Sequence, residues 1–277
     1  MYLSELDVVF ISYDEPNAEA HWADLLRKAP WAKRVHGVKG FDAAHKAAAN
    51  ESSTDFFITV DGDNIVKDGF LDTEIDDIDV VDGMVLSFAS KNNINGLTYG
   101  NGGLKIWPTE YVKVMAFHED SSDTQAVDFC WDDTYRQQNV LSSENFQNGS
   151  AYQSFRAGFR EGVKMSLNRG ARVKAENFLR TMDKDNLTRL RIWCSVGNDV
   201  DFGSWAIHGA RLGAYKTICT DWNFGEIRDY DWFDTYFKKI QTEMSSYQAM
   251  QKLNDLVGLG IVELDDAQSA FFKEINK

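Results

Sequence analysis

The sequence predicts an α/β fold in which a mixed, mainly parallel, Rossmann-like sheet is flanked by helices, with a more helical C-terminal part. Within residues 7–61, three apolar runs rich in β-forming residues alternate with two helical patterns, and this alternation is typical of βαβ units. The second half shows apolar residues mainly at helical spacing. With 277 residues, 43% of them hydrophobic, the chain is long enough to bury a full core.

The elements of the N-terminal half follow from apolar runs and from the residues that interrupt them. The first strand, Asp7–Ser12, contains a continuous apolar run, which is typical of a strand buried on both faces. Pro16 follows it and does not fit the interior of a sheet. Similar reasoning predicts the next four elements: a helix over Ala18–Arg27, a strand over Ala32–Val38, a helix over Ala43–Asn50 and a strand over Phe56–Val60.

Later elements are predicted in the same way. Asn92–Gly103 is rich in Asn and Gly, which indicates a loop or hairpin, and Thr109 is a plausible N-cap for a short helix. The predicted strands are Val80–Ser90 and Leu104–Trp107, and the predicted helices are Glu110–Met115, Tyr152–Leu167, Gly203–Tyr215, Asp231–Leu256 and Asp265–Lys277. The chain has 3 Pro and no Ser/Gly tract, so we expect one continuous domain without a flexible linker.

Composition excludes several classes of protein. The net charge of −14 argues against a protein that coats nucleic acid non-specifically. The 3 cysteines are far apart and form no Cys-x-x-Cys pair, so we expect a reducing, cytoplasmic setting rather than a disulfide framework. The N-terminus lacks a basic leader and no apolar run is long enough to span a bilayer, so no membrane association is expected.

One segment departs from the acidic balance of the chain. Ala151–Arg191 contains ten Lys/Arg and four Asp/Glu, a local balance of +6. Arg156, Arg160 and Lys164 recur every four residues and form a basic stripe on the predicted helix. Such a stripe either contacts the phosphates of a polyanion such as DNA or is a solvated helix face, and both interpretations stay open.

The motif that carries most chemistry is Asp61-Gly62-Asp63, directly after the predicted strand Phe56–Val60. A buried strand that ends in Asp-x-Asp places two carboxylates at the open edge of a sheet, where α/β proteins bind ligands. Carboxylates of this kind suit Mg²⁺ or Mn²⁺. A plain hairpin turn is the alternative, because Asp-Gly is a frequent type I′ signal. An EF-hand does not fit, because Ile65 and Val66 stand where a ligand and a glycine are required.

Two neighbouring segments also favour a nucleotide-binding site. The first strand ends in Ser12, Tyr13 and Asp14, where an aromatic ring and a carboxylate suit a nucleoside. The second helix carries His45 and Lys46, and the Lys46 ammonium suits a phosphate.

The order of these segments, Ser12–Glu15, Ala44–Lys46 and Val60–Asp63, resembles GT-A glycosyltransferases of the family 2-like kind that tailed bacteriophages encode. The resemblance covers about the first 110 residues, and it continues through Asn95–Lys105 and Phe155–Gly162. Those two segments look like a phage-specific subgroup. Some members of that subgroup transfer arabinose or glucose to hydroxymethylated pyrimidines in phage DNA.

The resemblance implies a UDP-sugar donor and a Mn²⁺ or Mg²⁺ ion that bridges its diphosphate to the carboxylates. It makes Asp63 the main metal ligand and Asp61 a ligand of ribose or metal, with Ser12, Tyr13 and Asp14 at the nucleoside. GT-A sites often add a late histidine, for which His208 is the candidate, although a structural histidine is the favoured interpretation. Arg211 is a competing candidate for neutralising the diphosphate. Residues 1–110 would form the donor half and residues 111–277 the acceptor half.

The expected acceptor is a pyrimidine of the 5-hydroxymethylcytosine type in phage DNA, within the infected bacterial cytoplasm. A protein, a glycan or a small molecule is the alternative acceptor, and a non-catalytic nucleotide- or carbohydrate-binding module is the alternative class. A nucleotidyltransferase also uses paired carboxylates, but the Gly-rich phosphate loop usual after its first strand is absent from Ser12–Pro16.

An inverting transferase requires a carboxylate base that takes the acceptor proton. Asp128 and Asp132 are the main candidates, because they lie four residues apart around Phe129 and Trp131, whose rings suit a sugar or a base. The other candidates in this acidic region are Glu119, Asp120 and Asp133. A solvated acidic loop is an equally good interpretation, and a retaining enzyme requires no such base.

Overall fold

The computed structural model describes residues 1–75, 83–100, 103–121 and 128–275. The chain forms two compact units. The N-terminal unit comprises Met1–Asn93, Thr98–Gln125 and Phe129–Phe146, and the C-terminal unit comprises Ile94–Leu97, Ala126–Asp128 and Gln147–Lys277. The N-terminal unit therefore extends past the expected division at residue 110.

An eight-stranded mixed sheet forms the centre of the N-terminal unit, in the order β2-β1-β3-β7-β5-β8-β4 with β6 paired to β5. Five of these strands, β1, β2, β3, β5 and β8, run in the same direction, so the sheet as described is mainly parallel, as predicted. The strands are β1 Asp7–Ser12, β2 Lys33–His36, β3 Phe56–Asp61, β4 Asn64–Val66, β5 Val85–Asn92, β6 Thr98–Tyr99, β7 Leu104–Pro108 and β8 Tyr135–Asn145.

Helices cover both faces of this sheet, namely α1 Ala18–Lys28, α2 Phe41–Glu51 and α3 Thr109–Val114. Successive side chains of a strand point to opposite faces, so the continuous apolar run of β1 is buried on both sides. Phe10 packs in one core cluster with Leu25 of α1. Val9 packs in the other cluster with Ala48 of α2 and Val112 of α3. The predicted helix–sheet–helix layering is therefore confirmed.

The structure corrects two local predictions of the N-terminal half and adds one strand. The strand predicted over Val80–Ser90 is β5, which continues to Asn92, and residues 76–82 lie outside the described residues. Thr109 is the first residue of α3 rather than its N-cap, and its hydroxyl instead donates to the Thr54 carbonyl at 2.7 Å. Strand β8 was not predicted, because few of its residues are apolar and its buried positions are largely Ser and Asn.

The C-terminal unit is mainly helical, as predicted. Its described helices are α4 Ala151–Lys164, α5 Phe178–Thr181, α6 Lys184–Trp193, α7 Gly203–Cys219, α8 Tyr230–Lys239, α9 Ser246–Val257 and α10 Asp266–Ile275. A short ribbon pairs β9, Leu167–Asn168, with β10, Ala171–Arg172. None of the helices in the described parts of the chain is both long and apolar enough to cross a membrane.

The single helix predicted over Asp231–Leu256 is wrong, because α8 and α9 are separate. The Ser245 hydroxyl accepts a hydrogen bond from the Gln248 amide, and the Gln248 side chain bonds back to the Ser245 amide. This capping box starts a new helix, which local apolar spacing does not reveal.

Four glycines allow α4 and α7 to pack at close range. Gly158 and Gly162 of α4 lie against the backbone of Ala206 and Ala210 in α7. Gly209 and Gly213 of α7 lie in turn against the backbone of residues 155–159 in α4. A methyl group at any of these positions would overlap backbone atoms, so glycine is a steric requirement of this helix pair.

We predict that Gly158→Ala lowers the free energy of unfolding by about 2 kcal/mol, because the added Cβ overlaps the Ala206 carbonyl and the helices must separate. Alanine otherwise stabilises a helix relative to glycine by about 1 kcal/mol, so the sign of the change is diagnostic. Urea denaturation measures it. Gly225→Ala is the matched control, because a Cβ there approaches only side-chain atoms, at 3.1 Å or more. Equal stability of Gly158→Ala and the wild type would contradict the close packing.

Candidate functional site

The ends of β1 and β3 and the segments that follow them, which carry Ser12–Asp14 and Asp61–Asp63, lie at one edge of the sheet. Strands β1 and β3 are parallel neighbours, and Ile11 lies beside Asp61 in their register. Strand β2 flanks β1 on the other side, with His36 beside Ser12. The loops that follow β1 and β3 therefore leave the sheet at its carboxyl edge, which is the ligand-binding edge of α/β folds.

The turn after β3 is a rigid connection. The Asp61 amide donates to the Gly103 carbonyl at 3.0 Å, and Gly103 lies so close to the Asp61 carboxylate that a Cβ would overlap it. Asn64 is 1% exposed, donates to the Asp63 carboxylate at 2.6 Å and accepts from the hydroxyl groups of Ser90 and Ser143. Residues 62 and 63 form a turn, but β4 pairs with β8 rather than with β3, so the turn does not close a hairpin between β3 and β4.

Three carboxylates repel one another at this turn. Partial burial raises the pKa of Asp61 to about 7, opposed by the positive charge of Lys105 and reinforced by the negative charges of Asp63 and Glu15. Burial also raises the pKa of Glu15, as do Asp63 and Asp14, although the Tyr13 amide stabilises its carboxylate at 2.8 Å. Glu15 was not assigned a role from the sequence, although it directly follows Asp14.

The Ser12 hydroxyl bonds within the protein. Arg34 donates to Ser12 Oγ at 3.0 Å and to His36 Nδ1 at 3.3 Å, and guanidinium can only donate. His36 Nδ1 is therefore an acceptor, and Ser12 donates to it at 2.9 Å. Tyr13 is 41% exposed and Asp14 is exposed as well, so the side chains beside Ser12 are open to solvent. Their predicted contact with a nucleoside stays a prediction.

His45 and Lys46 of α2 have protein partners. His45 is 3% exposed, packs between Phe41 and Trp107 and donates from Nδ1 to the Phe41 carbonyl at 2.9 Å. Burial, with a smaller contribution from Lys105, lowers the pKa of His45 to about 3, so the ring is neutral. Lys46 forms an ion pair with Asp120, which raises the Lys46 pKa. Lys46 would have to exchange this partner to bind a phosphate.

The base candidates of the N-terminal unit take part in turns and caps. Asp132 accepts from the Thr134 amide at 2.9 Å, from the Thr134 hydroxyl and from Tyr111 Oη at 3.4 Å. The Glu119 carboxylate accepts from the Ala43 amide at 2.7 Å, in the first turn of α2. These contacts give Asp132 and Glu119 structural roles, and the base role of Asp132 stays a prediction.

In the C-terminal unit, the candidate base Asp128 contacts two cations of the basic stripe. Lys164 Nζ lies 3.1 Å from the Asp128 carboxylate, and Arg160 Nη2 lies 3.9 Å from it. Arg160 also donates to the Ile227 carbonyl. Arg156 packs over the ring of Tyr230, with 3.9 Å between its Cζ atom and the ring centroid. The three cations thus have partners inside the unit, and their contact with DNA stays a prediction.

His208 and Arg211 lie on α7 of the C-terminal unit. His208 Nε2 donates to the Met244 carbonyl at 3.2 Å, and burial lowers the pKa of its ring. Arg211 is 3% exposed, donates to the Cys194 carbonyl at 2.7 Å and pairs with Glu263. These contacts explain both residues as structural, and their roles at a metal or a diphosphate stay predictions. Among the described residues, no group of three or more His, Cys, Asp or Glu side chains is arranged to hold a metal ion.

Comparison with known proteins gives only distant similarity. No family model and no curated protein matches the chain. Among solved structures, HddC from Yersinia pseudotuberculosis is 14% identical, with a TM-score of 0.29 over 51% of this chain and 92% of that one. TarS 1–349 from S. aureus is 11% identical, with a TM-score of 0.33 over 86% of this chain and 92% of that one. Similarity at this level assigns no activity to the chain.

We predict that Asp61 makes the free energy of unfolding fall as the pH rises from about 4 to about 7. The folded-state pKa of about 7 lies above the ordinary value of 3.8, so in this window the folded state holds a proton that the unfolded state has lost. Relative to the wild type, Asp61→Asn should gain on the order of 2 kcal/mol between pH 4 and pH 8, after allowance for solvent screening.

Urea denaturation at several pH values measures this gain, and any loss of a hydrogen bond in the variant enters equally at each pH. Asp72→Asn removes the same charge at an exposed position and controls for net charge. A difference between Asp61→Asn and the wild type that stays constant from pH 4 to pH 8 would show that the Asp61 carboxylate is not destabilised.

Proposed function

We propose that the chain is a metal-dependent glycosyltransferase that binds a nucleotide-sugar donor, with a UDP-sugar as the first candidate, at the carboxyl edge of the N-terminal sheet. The observation that carries the proposal is the group of three carboxylates, Glu15, Asp61 and Asp63, where parallel strands end. Mutual repulsion of this kind is costly unless a cation compensates it. A divalent cation that also binds the donor diphosphate would supply that compensation.

The carboxylates of the turn are of the chemical type that the expected cation binds, although among the described residues they are not gathered into a ready-made metal site. Carboxylate oxygens are the ligands that Mg²⁺ and Mn²⁺ prefer, so Asp63 and Asp61 would hold the ion and Glu15 would add negative charge nearby. When bound, the cation acts as a Lewis acid that stabilises the leaving diphosphate. Asp61 must lose its proton to act as a ligand, and the positive charge of Lys105 favours that loss. The exposed Tyr13 ring and the Asp14 carboxylate would contact the nucleoside.

We further propose a hydroxymethylated pyrimidine in DNA as the acceptor and either arabinose or glucose as the sugar. This proposal is supported by the resemblance of the site segments and by the basic segment Ala151–Arg191. Within this segment, Lys164 forms ion pairs with Asp128 and Glu161, which an acceptor phosphate would have to displace. Asp132 or Asp128 would take the acceptor proton in an inverting reaction. A protein, glycan or small-molecule acceptor is the alternative.

We predict that UDP with Mn²⁺ stabilises the protein. A ligand present at about 100 times its Kd adds roughly 2.7 kcal/mol to the free energy of unfolding, which is visible as a rise in Tm. Thermal unfolding with UDP, GDP, CMP and dTDP, each with and without Mn²⁺, identifies the nucleotide. Asp63→Asn should abolish the Mn²⁺-dependent part of the rise, whereas the exposed Asp72→Asn should retain it. If none of the nucleotides raises Tm, a non-catalytic binding module becomes the favoured class.

We also predict transfer of labelled sugar from a UDP-sugar to DNA that contains 5-hydroxymethylcytosine, and no transfer to the same duplex with cytosine. The hydroxymethyl oxygen is the nucleophile, so its removal should abolish the product. Scintillation counting of precipitated DNA measures the transfer, with Asp63→Asn as the inactive control. Donor binding without transfer to either DNA would exclude this acceptor and leave the transferase proposal in place.

A further inference from the structure

His21 contacts the carboxylate turn from inside the N-terminal unit. It lies on α1, is 6% exposed, and its Nδ1 atom is 2.9 Å from the Gly62 carbonyl. A carbonyl oxygen only accepts, so Nδ1 carries the proton and the imidazole donates to the middle residue of Asp61-Gly62-Asp63. Burial lowers the pKa of His21, which is consistent with a neutral ring.

Phe146, the residue after β8, provides a second contact with the same turn. Its amide donates to the Asp63 carbonyl at 2.7 Å. Its ring lies beside the His21 ring, with 5.4 Å between the centroids. The Asn17 side chain, directly before α1, donates to the Phe146 carbonyl at 3.0 Å. The carbonyls of residues 62 and 63 are thus held by two groups that also contact each other.

The contacts of His21 and Phe146 hold the backbone of the turn rather than its carboxylates. His21 and Phe146 bond to backbone carbonyls of the turn, and the Asn64 side chain donates to the Asp63 carboxylate. The buried imidazole donates to the Gly62 carbonyl, and without that bond the peptide plane of Gly62 is less restrained against rotation. Rotation of this plane changes the separation of the two carboxylates.

We propose that His21 is a positioning residue, which fixes the geometry of the Asp61–Asp63 carboxylate pair through its bond to the Gly62 carbonyl. The consequence for metal and nucleotide affinity rests on the proposed function, whereas the consequence for the turn itself does not. A donor-site carboxylate pair must be held within a fraction of an ångström to bind a cation well, and buried bonds behind the ligands provide that precision.

Two variants distinguish the effect of losing the His21 hydrogen bond from the effect of changing the volume of the side chain. His21→Phe keeps a ring and removes the donor, and His21→Asn places an amide N–H near the position of Nδ1. Leu25→Ala is the matched control, because Leu25 is a buried residue of the same helix whose role is to pack in the sheet core. The control loses stability through a cavity without removing a bond to the turn.

Hydrogen exchange measured by mass spectrometry tests the turn without a ligand. In His21→Phe, the peptide that spans residues 60–66 should exchange at least 10-fold faster, in excess of any change in Leu25→Ala, and His21→Asn should restore most of the protection. Unchanged protection in His21→Phe, or an equal change in Leu25→Ala, would overturn the proposal.

Titration calorimetry with Mn²⁺ and UDP tests the functional consequence. The Kd should rise at least 10-fold in His21→Phe and by less than 3-fold in His21→Asn and Leu25→Ala. If the wild type binds neither ligand, the proposed function fails, and hydrogen exchange still decides whether His21 holds the turn. Wild-type affinity in His21→Phe would overturn the positioning role.

Discussion

Parallel pairing between β1 and β3 places Ile11 beside Asp61, and this register decides which side chains reach the carboxyl edge of the sheet. A shift of one residue would move every side chain of the strand to the opposite face. Such a shift is opposed by packing, because it would exchange the fully buried Val9 and Phe10, which differ in size, between two clusters. The position of the acidic turn therefore depends on the core and not on the turn itself.

The core also maintains an arrangement that is locally unfavourable. Asp61, Asp63 and Glu15 repel one another, and partial burial adds a desolvation cost to their charged forms. Lys105 reduces that cost for Asp61, and the Tyr13 amide reduces it for Glu15. The polar contacts around the turn instead fix its shape, through Asn64 from the sheet side and His21 from α1. Binding sites often contain groups that are locally unfavourable and are kept in place by the surrounding structure.

The layering of the N-terminal unit could be predicted because it depends on local pattern. The run at β1, the run at β3 and the acidic turn after β3 are each visible in a few consecutive residues. Strand β8 was missed because its buried positions are largely Ser and Asn, among them Ser143, whose hydroxyl donates to Asn64. That bond spans 79 residues, and no local pattern indicates it. The same is true of His21, whose partner lies 41 residues away.

Counting charges along the sequence also misses contacts between distant residues, as the basic stripe shows. Arg156, Arg160 and Lys164 do recur on α4, as their spacing predicts. Apart from Glu161 on the same helix, the partners of these cations shown by the structure include Asp128 and Tyr230, which the sequence separates from α4 by many residues. An ion pair or a ring contact reduces the charge that a helix offers to a polyanion, because an external phosphate must first compete with the existing partner. The net balance of a segment therefore sets an upper limit on its attraction for DNA, and the contacts within the C-terminal unit determine how much of that attraction is left.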